Sequence, residues 1–407
     1  MKSESYLARL RALGLCLAII LSFIPSKASA DAVVDRFAAI AGKMQPFVDK
    51  GDVSGIVTLV ADKEKVLHLA AVGKSNLDTG RGMKTDDLFW IASMSKPMTA
   101  ACVAMLVDEG KLSFDDPVEK YLPQFHNQWV ITESAADHRT LAKAAHPITL
   151  RNLLTHTSGM GEYVVTDPHW TLAEMAIASA REPLRFQSGS KWGYSTAGID
   201  ALGRVVEVVS GMPFDKFIQT RLFEPLGMKN TTFWISSGQE ERYVQPYKIN
   251  AQTGKLEDAV ITYMYGGAIT DHARPPLGGA GLFSTAEDVA RFYQMMLNQG
   301  SWDGHKILKP ETVAEMTKVQ IGQLTARPGM PWGLGFCIIA DPKGITANET
   351  YSAGSFGHGG AFGTHSWADP ASGLIYVMML ERSGLKGGDN SDEHIAFQQA
   401  AAAALGK

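Results

Sequence analysis

Cysteine is nearly absent from this chain: three residues in 407, at positions 16, 102 and 337. So few, so far apart, make no disulfide framework. Cys102 and Cys337 read as two buried thiols or as one long-range bridge, and neither has the neighbours of a catalytic thiol. Basic charge is not in excess either. Lys and Arg number 38 against 42 Asp and Glu, with no basic stripe, which argues against a nucleic-acid partner. The eleven histidines contain no H-x-H pair and no H-E-x-x-H, and His358 and His365 lie seven apart in a glycine-rich segment, so no metal site is expected. No other cofactor is implied. Repeats are missing, and low complexity is confined to an alanine-rich C-terminal stretch.

Long apolar runs are also missing, with one exception. Lys2, Arg9 and Arg11 precede an apolar stretch over 12–24, followed by Ala28-Ser29-Ala30. That is the layout of a secretory signal peptide over 1–30, too short for a permanent span; an uncleaved anchor is the alternative. Cys16 lies inside the apolar run after Leu15, where lipoprotein processing needs a small residue, so lipidation is not expected. Cleavage after Ala30 would remove Lys2, Arg9, Arg11, Lys27 and Glu4 and leave a more acidic chain without stable membrane insertion. The expected location is exported, periplasmic or secreted.

What is present is a globular composition, 45% hydrophobic and 20% charged, with length for a large core. Residues 31–50 have helical spacing, and 55–61 and 65–72 read as paired strands. A helix follows over 99–108, ended by Gly110. Helices at 150–154, 172–181, 197–209 and 214–223, broken by Pro and Gly, lead to an irregular stretch at 240–273 with a turn at Gln252-Thr253-Gly254. Then come a helix at 286–297, strands near 335–340, 363–368 and 374–380, and a closing helix at 393–405. Strands at both ends with helices between them predict an α/β (α+β) fold. One antiparallel sheet, flanked by helices, is built from both chain ends, about 31–111 and 285–407. A mainly helical lobe, about 112–284, is inserted, and the crevice between the lobes is the natural ligand site.

Chemistry concentrates in three places. Leu88-Phe89-Trp90-Ile91-Ala92-Ser93-Met94-Ser95-Lys96-Pro97 runs from an apolar segment into a helix that reads as amphipathic, placing Ser93 and Lys96 one turn apart on one face. A serine hydroxyl needs a base, and a lysine whose pKa is lowered can be one. The helix N-terminus can also stabilise negative charge near the serine. The bare S-x-x-K pattern also occurs at Ser188–Lys191 and Ser383–Lys386, but in glycine-containing loops, and a helix-capping serine beside a solvated lysine spells the same way. In Gly193-Tyr194-Ser195-Thr196-Ala197, Tyr194 at a helix entrance either packs under the loop or serves as a base or relay. In Phe356-Gly357-His358-Gly359-Gly360-Ala361, glycines allow close backbone approach beside a strand. There His358 either binds substrate or makes a structural hydrogen bond. Trp192, Tyr265 and Trp332 are candidates for core or cleft. An α/β-hydrolase elbow, G-x-S-x-G, is approached only at Gly193–Ala197, which ends in alanine.

Taken in order, these three pieces resemble the serine β-lactamase and penicillin-binding-protein-like superfamily: class C β-lactamases, D-alanyl-D-alanine carboxypeptidases and family VIII carboxylesterases. Ile148-Thr149-Leu150-Arg151-Asn152-Leu153-Leu154-Thr155-His156-Thr157-Ser158-Gly159, Val209-Ser210-Gly211-Met212-Pro213-Phe214 and Pro225-Leu226-Gly227-Met228 add to the likeness, which covers most of 31–407. The resemblance implies Ser93 as nucleophile forming an acyl-enzyme, with Lys96 and Tyr194 sharing its proton. It implies an oxyanion hole from the backbone N–H groups of Ser93 and Ala361, and substrate contacts from His358, Gly359, Gly360 and Thr196. Two departures matter. Thr196 stands where the family's Tyr-x-Asn motif ends in asparagine, and His358 where many relatives have the lysine of Lys-Thr-Gly, so a substrate carboxylate loses a fixed cation. Both favour a carboxylesterase acting on small esters over a β-lactamase, a D-alanyl-D-alanine carboxypeptidase or a D-aminopeptidase-type amide hydrolase. The remaining alternative, a non-catalytic cell-envelope binding protein, would require loss of a catalytic residue, and all three are present.

Overall fold

The computed structural model describes residues 27–162, 165–344 and 350–405; most of the expected signal segment lies outside them. Helices of eight or more residues are α1 (Lys27–Asp49), α2 (Ser95–Asp108), α3 (Leu172–Arg181), α4 (Thr196–Ser210), α5 (Ala286–Leu297), α6 (Pro310–Thr317) and α7 (Asp392–Ala404). The main sheet has six antiparallel strands: β1 (Gly55–Asp62), β2 (Val66–Gly73), β3 (Cys337–Ile338), β4 (Phe356–Gly359), β5 (His365–Asp369) and β6 (Leu374–Met379). Their order is β3-β4-β5-β6-β1-β2. The two chain ends therefore meet in the middle, where Val57 faces Met379 and Asp62 faces Leu374.

Alternation along the central strands sorts side chains onto two covered faces. Ile56 and Val60 of β1 and Tyr376 and Met378 of β6 pack with Phe37, Ile40 and Met44 of α1 and Phe397 and Ala401 of α7. Val57 and Leu59, with Ile375 and Val377, face α2 and α5. The helices between α2 and α5 join this second cluster through Leu202, Val205, Phe214 and Phe217. Cys102 lies in the second cluster and Cys337 in the first, so no bridge joins them. Among the described residues no helix is long and apolar enough to cross a membrane.

Several expectations shift. α2 starts at Ser95, four residues early, because a 3-10 turn at Ala92–Met94 feeds directly into it. It is buried on all sides over 95–106 rather than amphipathic, being packed between the sheet and α4. The expected helix at 214–223 is α-helical only over Phe214–Ile218 and widens to a π turn at Gln219–Phe223. The stretch at 240–273 holds a short hairpin, Tyr247–Ile249 with Leu256–Asp258. A second hairpin, Trp129–Ser134 with Arg139–Lys143, lies within the mainly helical region. His358 sits inside a strand, not beside one. Its neighbour Gly357 lies under the Trp367 ring, where a Cβ would come within 2.5 Å.

Candidate active site

Ser93 belongs to the 3-10 turn, held by a backbone bond from Met94 N–H to the Ile91 carbonyl (3.0 Å). Ala92, just before it, has φ +45, a left-handed conformation that a non-glycine residue keeps only where its surroundings dictate it. Those surroundings are explicit. Ile91 N–H donates to the Leu282 carbonyl (3.0 Å), and the Ser95 hydroxyl donates to the Ala92 carbonyl (2.7 Å) while accepting from Leu282 N–H.

Lys96, one turn on, is fully buried. Its Nζ lies 3.0 Å from Ser93 Oγ, 2.7 Å from the Gly279 carbonyl and 3.5 Å from Thr196 Oγ1, and 4.7 Å from the centre of the Tyr194 ring. Burial draws its pKa down to about 7, against the charges of Asp200 and Glu162 that raise it. A large share is therefore free amine near neutral pH. As an amine it can donate to Gly279 and Thr196 and turn its lone pair to the Ser93 hydroxyl. Neither other S-x-x-K copy is built this way: Lys191 and Lys386 are exposed.

Tyr194 precedes α4 by two residues, and burial pushes its pKa up although a hydrogen bond with Ser93 lowers it. It is therefore a phenol, not a phenolate, at neutral pH. His358, on β4, presents Nε2 3.5 Å from the Tyr194 hydroxyl, and its Nδ1 lies 2.7 Å from the Gly359 carbonyl. Because that carbonyl only accepts, Nδ1 carries the proton and Nε2 accepts. Burial, then the Lys96 charge, lowers the His358 pKa to about 3, so it is neutral at working pH.

Gly359 and Gly360 are glycines for space. A Cβ on Gly359 would collide with the Asp389 carboxylate, and one on Gly360 with Thr364 Oγ1 and the Ile91 carbonyl. The Gly360 N–H is committed to the Thr364 carbonyl (2.7 Å); Ala361 follows at the rim. Ser93, Tyr194, His358, Gly359, Gly360 and Ala361 all line one cavity of about 370 Å³, whose wall includes Trp332 and the ion-paired Arg327 and Asp389. Thr196 enters the site through Lys96 and is not part of that wall. Trp192 packs behind the wall against Trp332, while Tyr265 packs on Tyr263, outside the lining.

Sequence reasoning missed three contributors. Asp200, 3% exposed, accepts from Gly279 N–H (2.8 Å) and from the Tyr263 hydroxyl. Burial raises its pKa to about 6. Its signal was an acid set in the apolar first half of a helical run, four residues after Thr196 and thus on the same face. Gly279 was unread within a Gly-Gly-Ala-Gly run, and Glu162 caps α4 by accepting from Thr196 N–H (2.7 Å). Ser195, the elbow alternative, is buried and spends its hydroxyl accepting from Gly198 N–H as the N-cap of α4.

A family model described as Beta-lactamase matches residues 40–401. Protein Rv1367c of Mycobacterium tuberculosis is 32% identical over 357 residues, covering 82% of this chain and 87% of its own length. Esterase EstB of Burkholderia gladioli is 31% identical over 368 residues, with the same coverage of each chain. Among solved structures, EstCE1, described as a hydrolase with promiscuous acyltransferase activity, shares the fold. Its TM-score is 0.74 at 24% identity, covering 92% of this chain and 99% of its own. With a family model spanning nearly the whole chain, this chain belongs to the Beta-lactamase family and is a serine hydrolase of the β-lactamase and penicillin-binding-protein superfamily.

Proposed function

We propose that this hydrolase is a carboxylesterase that cleaves small esters through an acyl-enzyme on Ser93. The observation that carries the proposal is the Ser93–Lys96 pair: 3.0 Å apart, with the lysine drawn to a pKa of about 7. In the first step Ser93 Oγ attacks the ester carbonyl and its proton passes to Lys96 Nζ. The resulting oxyanion is held by the backbone N–H groups of Ser93 and Ala361. Collapse breaks the ester C–O bond, and the departing alkoxide takes a proton relayed through Tyr194. Water then attacks the acyl group, and the acid leaves with Ser93 regenerated.

Preference for esters rests on His358 and Thr196. Where a carboxylate-bearing substrate would look for a fixed cation, His358 offers a neutral ring. Thr196, turned to Lys96, has no amide for an acylamino group. The name of EstB, an esterase, supports the same choice. The lobe division is part of this reading: Ser93 and His358 come from the part formed by 31–111 and 285–407, Tyr194 and Thr196 from 112–284.

A turnover panel of p-nitrophenyl acetate and butyrate, nitrocefin and a D-Ala-D-Ala peptide tests the reading, with fluorophosphonate labelling alongside. Ester turnover and labelling should both vanish in Ser93→Ala, a fall of about a thousandfold or more. Peptide cleavage without ester turnover would reverse the choice of activity. Export is proposed on the layout of residues 1–30; N-terminal sequencing of the mature protein should begin at Asp31, and a periplasmic product starting at Met1 would reject cleavage.

A further inference from the structure

Tyr194 lies outside regular structure, between the Trp192 segment and the first turn of α4. Arg185 holds its carbonyl (3.1 Å), and three further contacts that bracket it come from one residue, His156. Gly193 N–H, on one side of Tyr194, donates to the His156 carbonyl (2.8 Å). Ser195 N–H, on the other side, donates to His156 Nδ1 (3.3 Å). Between these two bonds the imidazole lies against the Tyr194 ring, with centres 4.3 Å apart and planes inclined by 36°. A backbone acceptor, a side-chain acceptor and a ring face from one residue thus bracket the tyrosine.

His156 is itself held firmly. It is fully buried and adopts φ +58, the left-handed region, which histidine enters more readily than most residues but still at a cost. The flanking hydroxyls of Thr155 and Thr157 bond each other (2.9 Å), and Thr157 N–H returns to the Asn152 carbonyl (2.9 Å). Because Nδ1 accepts from a peptide N–H, the proton sits on Nε2, which has no oxygen or nitrogen partner among the described residues. Edge-to-face contacts with Trp332 and Trp192 surround the ring. Burial, with the charge of Lys96 where it is protonated, keeps it neutral. It does not line the cavity, so it has no route to substrate except through its neighbours.

We propose that His156 is a positioning residue that sets the Tyr194 hydroxyl between Ser93 and the departing alcohol of the ester. This rests on the reading that Tyr194 returns a proton to that alcohol. The two claims separate in one experiment, because a p-nitrophenolate leaves without a proton and an alkoxide does not.

The experiment compares kcat/KM, which reports acylation, for p-nitrophenyl butyrate and methyl butyrate in four proteins: wild type, His156→Asn, Tyr194→Phe and the double variant. Asparagine tolerates the left-handed backbone and keeps an acceptor for Ser195 N–H but has no ring. If His156 acts through Tyr194, His156→Asn lowers kcat/KM on methyl butyrate at least tenfold more than on the nitrophenyl ester. Tyr194→Phe does the same, and the double variant is no worse than Tyr194→Phe. Should His156→Asn not fold cooperatively, His156→Gln, which keeps an amide acceptor and more of the side-chain volume but likewise has no ring, gives the same comparison; glutamine already occupies the left-handed region in this fold at Gln299 (φ +55). Equal losses on both esters, or losses that multiply in the double variant, overturn the role of His156 while leaving Tyr194 in place. Absence of leaving-group dependence in Tyr194→Phe overturns the tyrosine reading and the proposal with it.

Discussion

Lys96 and Asp200 are joined through a single residue, Gly279: its carbonyl accepts from Lys96 Nζ at 2.7 Å and its N–H donates to Asp200 at 2.8 Å. The arrangement places a buried carboxylate one peptide residue from the candidate base without a direct ion pair. Burial moves the two groups toward each other, the acid up to about 6 and the lysine down to about 7, so they titrate as a coupled pair rather than as independent sites.

Replacing Asp200 by Asn should therefore move the pH profile. Lys96 accepts a proton only as free amine, so kcat/KM rises with pH through the lysine's pKa. The Asp200 charge raises that pKa; Asn removes the charge and keeps an acceptor for Gly279 N–H. The ascending limb in Asp200→Asn should shift to lower pH on p-nitrophenyl butyrate. An unmoved limb would show that Asp200 does not act on the titrating base.

Gly279 itself tolerates no side chain. A Cβ there would lie 2.6 Å from Thr196 Cγ2 and 2.9 Å from the Thr196 carbonyl, which is backbone and cannot swing aside. Gly279→Ala should lower kcat/KM tenfold or more and cost about 1–3 kcal/mol in stability. Gly42→Ala in α1, where nothing lies within 4 Å, should instead stabilise by about 0.5–1 kcal/mol. Urea unfolding and ester kinetics on both variants decide whether the glycine matters for the site or merely for the chain.

Much of this was readable from the sequence where the determinants are local. α3 and α5 run Leu172–Arg181 and Ala286–Leu297, as expected, because clear periodicity there begins at threonine caps, Thr171 and Thr285. Ser93 and Lys96 were legible because a helical turn brings i and i+3 together without help from the rest of the chain. The roles of Asp200, Gly279 and His156 were not, since each depends on a partner dozens of residues away. The strand Phe356–Gly359 was hidden for a related reason. Three of the five residues around His358 are glycines, which propensity assigns to turns, and only the Trp367 ring over Gly357 and the Asp389 carboxylate over Gly359 explain them as strand residues. The hairpin Trp129–Ser134 with Arg139–Lys143 lacked a cue because most of its side chains are exposed and only Val130 is buried, so no continuous buried face imposes alternation.

Ser195→Ala separates a capping serine from a nucleophile. Loss of the bond from Gly198 N–H (3.1 Å) should cost about 1 kcal/mol of stability and leave fluorophosphonate labelling of Ser93 intact. Labelling abolished in a folded Ser195→Ala protein would transfer the nucleophile to the α/β-hydrolase-like position.

Stability should also carry a pH signature from a carboxyl group away from the reaction. Glu381 follows β6, is 2% exposed, and burial holds its pKa well above the usual carboxylate range, with the Trp90 backbone amide opposing. A raised folded pKa means that the folded protein keeps this proton above pH 4.5 while the unfolded chain releases it. Folding then loses stability as pH rises from about 4.5, by up to about 1.4 kcal/mol per pH unit, until the folded group ionises. Glu381→Gln has no proton to lose. Its advantage over the parent should be absent at pH 4, appear above pH 4.5, and grow as pH rises until the folded group ionises. Asp200, raised in the same direction, is common to both proteins and cancels in the difference. Urea unfolding of the two proteins at pH 4, 5.5 and 7 measures it, and a difference that does not change with pH would mean that Glu381 is ionised in the folded state.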